Sequence, residues 1–301
     1  MLEIKIPLSV PSSKKSEYRA NYKLATHGTG KLLLIAGDQK VEHLNDDFYG
    51  PEISKEDSSP EHLFKIASGV KGGLLATHLG LISQYGKNYK KVPYLIKLNG
   101  KSNLGLNDEK DSSNCWWKVT DVVNFKKQSG LNVVGIGYTL YLGNKFEARM
   151  LSSIAKAINE AHQNGLIAIL WVYPRGKNIK EEDIHTIAGG AGMAACLDAD
   201  FVKVKYPYGS KNNKLVAERY KEVTEAAGRT KVICVGGNMR SVKEMLETTA
   251  EQINISNTSG LAIGRNLHQR PLAEAIKLGN DLSAIIHNSK KKSKTNFLGI
   301  F

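Results

Sequence analysis

A chain of 301 residues, 41% hydrophobic and 24% charged, can bury a full core and has the balance of a globular protein, which excludes a fibrous or disordered chain. Its net charge of +13 suits anionic partners, yet the 42 Lys and Arg are spread without a nucleic-acid-binding motif, so anionic metabolites fit better than nucleic acid. No apolar run reaches bilayer length, the opening MLEIKIPLSVPSSKKS lacks a signal-peptide core, and Cys115, Cys196 and Cys234 form no CxxC pair; the expectation is a cytoplasmic protein with no membrane partner, disulfide framework or cysteine zinc site.

Residues 1–31 precede the first strand signal and are expected to be an N-terminal extension closing the floor of the barrel domain. Eight short β-rich runs then alternate with helical periodicity: Leu32–Ala36, Gly73–Ala76, Tyr94–Leu98, Val133–Tyr138, Leu166–Val172, Phe201–Lys205, Lys231–Val235 and Gly260–Ile263. Several are nearly continuous in Val, Ile and Leu, as strands covered on both faces are. Asn45–Pro60, rich in Asp, Ser, Pro and Gly, reads as a long loop after the first strand. Helices are predicted over Glu147–Asn164, where Met150, Leu151, Ile154, Ala155 and Ile158 share a face and Gly165 stops the run, and over Lys211–Gly228, Ser241–Gln252 and Leu272–His287. Eight strands each followed by a helix predict an α/β fold, a single (β/α)8 TIM barrel over 32–287. The tail at 288–301, with Lys290, Lys291 and Lys292, is expected to be a solvated end.

Such barrels present reactive residues where strands end and βα loops begin. Strand one ends in GDQKVEH (Gly37–His43), strand three carries Lys97 in KLNGK, strand four runs into Tyr138 and Tyr141, and strand five ends in WVYPRG (Trp171–Gly176). Lys203, between Val202 and Val204, points opposite to both, and an inward lysine loses its proton readily because burial penalises the charge. A lysine snorkelling to solvent is the ordinary alternative, and Lys205 has the same parity, so periodicity leaves a pair of candidates. Gly236-Gly237 after strand seven and Gly264-Arg265 after strand eight look like phosphate cradles at the positions where barrels bind phosphate, though a lone Gly-Gly is commonly just a turn. Gly189, Gly190 and Gly192 precede a strand, so they read as a small-residue helix packed on the barrel and not as a dinucleotide loop. His43 and His78 fall near early strand ends without a third ligand, so no metal is expected. Trp116-Trp117 reads as core or interface.

The ordered set GDQKVEH, LNGK, GYTLY, WVYPRG, VKVKY, the late glycine pair and GRN resembles the archaeal-type, or DhnA-type, class I fructose-bisphosphate aldolases over nearly the whole barrel. The resemblance implies that Lys203 is the Schiff-base lysine, with Lys205 as runner-up, and that Tyr173 is the general acid/base beside Trp171. It also implies roles for Asp38 and His43 on strand one, and for Gly236, Gly237, Gly264 and Arg265 as phosphate ligands; Arg175 of WVYPRG joins the substrate-binding set. Lys40, the acidic extension Leu44–Glu61 and GGNMR after strand seven depart from the family's usual pattern and bear on substrate shape.

The expected activity is metal-independent, cofactor-free reversible cleavage of fructose 1,6-bisphosphate to dihydroxyacetone phosphate and glyceraldehyde 3-phosphate, by a homo-oligomer. Three alternatives stand beside it. One is a family relative using the same lysine on another sugar phosphate, such as an aminodideoxyheptulosonate-type synthase or a thiolase for a phosphorylated signal molecule. The others are a metal-dependent aldolase and a non-catalytic barrel that binds anions or RNA.

Overall fold

The structure, a computed structural model, describes residues 2–104, 112–177, 179–208 and 213–288. Eight parallel strands close on one another: β1 Leu32–Ala36, β2 Gly73–His78, β3 Tyr94–Lys97, β4 Val133–Leu142, β5 Ile167–Pro174, β6 Phe201–Val204, β7 Lys231–Val235 and β8 Gly260–Ile263. Each pairs with its successor, and β8 pairs back onto β1 with Leu32 opposite Gly260, which completes a (β/α)8 barrel. Most strand positions are buried because the barrel interior covers one face and helices the other.

The two faces sort by parity. Leu32, Leu34, Ala36, Leu74, Ala76, Leu95, Ile167, Ile169, Phe201, Ile233 and Ala262 form the interior cluster. Leu33, Ile35, Leu75, Ile96, Leu98, Val202 and Val204 pack outward with the helices. Burying one such side chain contributes roughly 1.5–3 kcal/mol, so the pattern strongly fixes which way each strand faces. The helix Lys15–Ala25 sets Tyr18, Tyr22 and Ala25 into the interior cluster at the N-terminal end of the strands. There Tyr18 donates to Asp200, and His162 lies between Asp200 and Asp198, with Nε2 3.1 Å from one carboxylate and Nδ1 3.2 Å from the other.

Several boundaries differ from the sequence reading. β4 extends to Leu142 because β5 pairs with it as far as Leu142 opposite Pro174. The expected helix Lys211–Gly228 begins outside the described residues, and its described part is two helices, Asn213–Arg219 and Lys221–Ala226, broken at Tyr220. Tyr220 instead sends its hydroxyl 2.6 Å to the Lys205 carbonyl. The loop after β1 holds a short helix, Gln39–Glu42, and a 3-10 turn, Lys55–Ser58. It is docked: Phe48 stacks on His268 at 4.6 Å, and Asp57 meets His268 Nδ1 at 2.6 Å. Ile184–Cys196 is the close-packed helix expected of its glycines, with Gly190 against Val172. Lys290, Lys291 and Lys292 lie outside the described residues. Among the described residues no helix is long and apolar enough to cross a membrane.

Candidate active site

The interior parity that is apolar at the barrel's floor becomes polar at its C-terminal mouth. Continuing each column by two residues reaches Asp38 after β1, His78 on β2, Lys97 on β3, Trp171 and Tyr173 on β5, and Lys203 on β6. Thr139 and Tyr141 of β4 stand opposite Trp171 and Tyr173 in register. The fold therefore gathers one reactive side chain from nearly every strand into one site.

Lys203 is 5% exposed, opposite Trp171 in register, with Nζ 5.1 Å from the Trp171 ring centroid. Burial is the main force pushing its pKa down, to about 8; Lys97 adds to it, while Asp38 and Glu42 oppose it. At pH 7.5 roughly a quarter of such amines are uncharged, against about one in a thousand for an ordinary lysine. Lys205 behaves differently. β6 ends at Val204, and the Lys205 amine is held at the rim by Glu181 with its side chain 27% exposed. The pair that parity left equivalent is thus separated by where the strand stops.

Lys97, which strand position alone gave no role, is at the centre. Its Nζ is 2.8 Å from Asp38 Oδ2, 2.6 Å from Thr139 Oγ1 and 4.7 Å from the Trp171 centroid. Burial would raise the Asp38 pKa, but the charges of Lys97 and Lys203 and the Lys97 hydrogen bond win, holding the carboxyl well below its usual range. The interior column Leu95, Lys97 was the signal that could have found it. Glu42 was also missed; it sits in GDQKVEH and acts electrostatically on Lys203 and Tyr173. Tyr173 stacks on Tyr141 at 6.0 Å, with the Arg175 guanidinium 5.2 Å away. Burial first, then the Glu42 and Asp38 carboxylates, drive the Tyr173 phenol far above 10, so it is protonated at rest. Tyr138, by contrast, packs outward with the helices.

The two glycine loops meet on the β7–β8 side. The Gly236 amide donates to Ala262 O at 2.7 Å, so this N–H is spent on the sheet, a correction to the expectation that both glycine amides face a ligand. Gly237 takes φ +72°, where a side chain is disfavoured, and a Cβ there would crowd the Tyr208 ring at 3.2 Å. At Gly264 a Cβ would fall 2.1 Å from Gln39 Oε1. Asn266, fully buried, ties the loops together: Oδ1 accepts from Arg240 N at 2.9 Å and Nδ2 donates to Asn238 O at 2.8 Å. Arg240 lies over the Tyr208 ring at 3.5 Å and bonds Gly236 O, adding a guanidinium to the cradle. Arg265 approaches Asp47 at 3.8 Å, and the same Asp47 binds His43, whose pKa that hydrogen bond raises. His43 therefore lies at the rim, paired with Asp47 beside Arg265.

Across the mouth, His78 is stacked on the half-exposed Trp116 at 4.9 Å, so Trp116 is a rim residue and not core. Burial, with the Lys97 charge second, lowers the His78 pKa to about 4, leaving the ring neutral. Asp38 Oδ1, Glu42 Oε1 and Trp171 Nε1 are buried without a hydrogen-bond partner. Buried polar atoms are nearly always paired, so such a concentration marks a place where a polar ligand supplies the partners.

Comparison with known proteins accords with this geometry. A family model described as DeoC/LacD family aldolase matches residues 32–270. A Methanocaldococcus jannaschii protein named fructose-bisphosphate aldolase/6-deoxy-5-ketofructose 1-phosphate synthase is 51% identical over 96% of this chain and 92% of its own. A Halobacterium salinarum fructose-bisphosphate aldolase class 1 is 34% identical over 86% and 91%. Among solved structures, a fructose-bisphosphate aldolase from Slackia heliotrinireducens superposes with TM-score 0.91 at 45% identity, covering 96% of this chain and 91% of that one. An archaeal fructose-1,6-bisphosphate aldolase, with its catalytic Lys covalently bound to the carbinolamine intermediate, superposes with TM-score 0.75 at 25% identity, covering 90% and 99%. The matched span runs from the first residue of β1 to just beyond the β8 loop, and this chain belongs to the DeoC/LacD family of aldolases.

Proposed function

We propose that this chain is a class I fructose-bisphosphate aldolase whose nucleophile is Lys203. The observation that carries the reading is a lysine deep in the barrel, with its pKa lowered to about 8, among unpaired polar atoms. The names of the relatives support the substrate.

The uncharged Lys203 amine adds to the C2 ketone of fructose 1,6-bisphosphate, and loss of water gives an iminium. The C4 hydroxyl then gives up its proton, the C3–C4 bond breaks, and its electron pair flows into the iminium to form an enamine, releasing glyceraldehyde 3-phosphate. Protonation at C3 and hydrolysis return dihydroxyacetone phosphate and the free amine. Tyr173, protonated at rest, gives its proton to the carbinolamine hydroxyl as that group leaves as water; the phenolate so formed, stabilised by the iminium cation, takes the C4 proton, and the restored phenol donates it to C3. Asp38, kept anionic by Lys97, stabilises that cation. Gly237, Gly264, Arg265 and Arg240 hold the C1 phosphate on the β7–β8 side and so place the ketone against Lys203. The positive net charge steers the tetra-anionic substrate inward.

A second reading comes from the double name of the 51% identical relative. A 6-deoxy-5-ketofructose 1-phosphate divides at C3–C4 into dihydroxyacetone phosphate and a three-carbon 2-oxoaldehyde, so the same enamine would pass to an unphosphorylated aldehyde before protonation. The resemblance also supports a cytoplasmic homo-oligomer, which fractionation and light scattering test.

The decisive experiment is borohydride reduction in the presence of fructose 1,6-bisphosphate, followed by peptide mapping. The adduct is expected on Lys203; an adduct on Lys205 or Lys97 would move the nucleophile, and no adduct would remove the Schiff-base class. Tyr173→Phe is expected to cut kcat by about 10²–10⁴-fold while Lys203 is still trapped.

A further inference from the structure

The outer face of the barrel carries an open cleft of about 390 Å³, apart from the reaction site. It runs between the start of the helix Val119–Ser129 and one side of the helix Glu147–Gln163. In the second helix Met150, Ile154, Ala157, Ile158 and Ala161 are buried. The neighbouring stripe Arg149, Ser152, Ser153 and Lys156 turns into the cleft. At helical spacing the two serines lie one turn after Arg149 and one turn before Lys156, so two cations flank two hydroxyls. Lys118 adds a third cation from across the cleft, and among the described lining residues Glu160 is the one carboxylate. Arg149 and Lys156 form no ion pair among the described residues, which leaves their charge for an anion. Buried Leu98, Val119 and Ala157, with the Trp117 ring, make the floor apolar. The cleft also reaches the mouth of the barrel. Trp116 N and Trp117 N share one acceptor, Leu98 O, at 2.8 and 3.2 Å. Trp117 lines the cleft while Trp116 stacks on His78, so two successive residues join the two places. Trp117 Nε1 is buried without a hydrogen-bond partner, so no polar contact anchors the ring where it stands. Leu98 directly follows Lys97, and Tyr138, which directly precedes Thr139, feels Ser153 and Arg149 of the cleft wall.

We propose that this cleft binds a small phosphate monoester with an apolar body, and that its occupant acts on the reaction site through Trp117 and Trp116. The phosphate lies over Ser152 and Ser153 between Arg149 and Lys156, where charge-assisted hydrogen bonds reach it from both sides, and the apolar body packs on Trp117. Three cations against one carboxylate leave a surplus of two charges, which a dianion cancels. Ligand sites commonly offer about 300–1,000 Å³ with an apolar wall and a few placed polar groups, and the cleft has both. Drawing Trp117 onto the ligand weakens its bond to Leu98 O and loosens Trp116 from His78, which lowers turnover. The binding does not depend on the aldolase reading above; the effect on turnover rests on it.

Phenyl phosphate is the probe, followed by hydrogen exchange in the unaltered protein and in the double variant Arg149→Met, Lys156→Met. Protection of residues 114–119 and 149–160 is expected at about millimolar probe, and at about tenfold higher concentration in the double variant. Phenol, which lacks the charge, should protect neither segment; protection by phenol would remove the anion from the proposal. No protection at about 10 mM phenyl phosphate, or equal protection in the double variant, overturns the site. The second measurement is kcat for fructose 1,6-bisphosphate with and without the probe, since a ligand competing at the reaction centre changes KM alone. The probe is expected to lower kcat about fivefold in the unaltered enzyme and to leave it unchanged in the double variant and in Trp116→Ala. An unmoved kcat in the unaltered enzyme overturns the link through Trp116. If the unaltered enzyme does not cleave the sugar at all, the aldolase reading fails, and hydrogen exchange alone decides the cleft.

Discussion

Asp38 Oδ2 and Lys97 Nζ stand 2.8 Å apart with side chains 3% and 1% exposed, a fully desolvated ion pair beside Lys203. Its members act on the Lys203 pKa with opposite signs: Asp38 raises it and Lys97 lowers it. Asp38→Asn removes the anion, so the Lys203 pKa drops below about 8 and the acid limb of the kcat/KM profile moves to lower pH. Lys97→Met removes the repelling cation and leaves Asp38 to pair with Lys203, so the same limb moves to higher pH. Breaking a buried pair also costs roughly 3–5 kcal/mol of stability, to be followed by urea unfolding. Both variants lose activity, but shifts in one common direction would contradict the arrangement.

How far the sequence could see is set by what each feature depends on. The column Leu32, Leu34, Ala36, Asp38 is a strand pattern whose last member is polar, and it is readable because alternation is local. Lys97 was harder: its meaning comes from Asp38, 59 residues away, and from Thr139 on the next strand. The failure of the Lys203–Lys205 symmetry depends on Glu181, which belongs to the loop after β5. The spent amide of Gly236 depends on Ala262 of a neighbouring strand. The long loop after β1 showed its composition but not its docking on His268, because Phe48 and Asp57 look like ordinary loop residues until the short helix Arg265–His268 after β8 is beside them. Periodicity thus gives direction, and pairing partners give role.

Gly237→Ala tests the proximal cradle. A side chain at φ +72° costs about 1–2 kcal/mol, and its Cβ presses on Tyr208 and Arg240. KM is expected to rise several-fold for fructose 1,6-bisphosphate and fructose 1-phosphate alike, since both carry the C1 phosphate. A selective loss on the bisphosphate would place the C1 phosphate elsewhere.

Asn266→Ala removes the side chain that joins the β7 and β8 loops through Arg240 N, Gly237 O and Asn238 O. Leaving these groups unpaired costs about 1–3 kcal/mol, visible as a lower Tm. Because Asn266 touches the loops and not Lys203, borohydride trapping at saturating substrate should persist while KM rises. Loss of trapping with KM unchanged would give Asn266 a different role.

The floor of the barrel carries a separate pH dependence. Burial opposes charge on His162, but Asp200 and Asp198 outweigh it, so the folded pKa lies above the ordinary histidine value of 6.5. A raised histidine pKa means the folded state binds the proton more tightly than the unfolded chain. Its contribution is fully present below about pH 6.5 and is lost as pH climbs through the raised folded value. The same imidazole approaches Ser9 Oγ at 2.8 Å, while Tyr18 of the helix Lys15–Ala25 donates to Asp200, so the charge also fastens the N-terminal segment to the strand ends. Comparing Tm for the unaltered protein and His162→Gln across about pH 6 to 9 isolates this group from all others that titrate. The difference should be largest at the acid end and shrink steadily as pH rises, together with slower protease cleavage before residue 15 at low pH in the unaltered protein. A difference that stays flat or widens toward alkaline pH would mean the imidazole is held neutral, with the two aspartates pairing elsewhere.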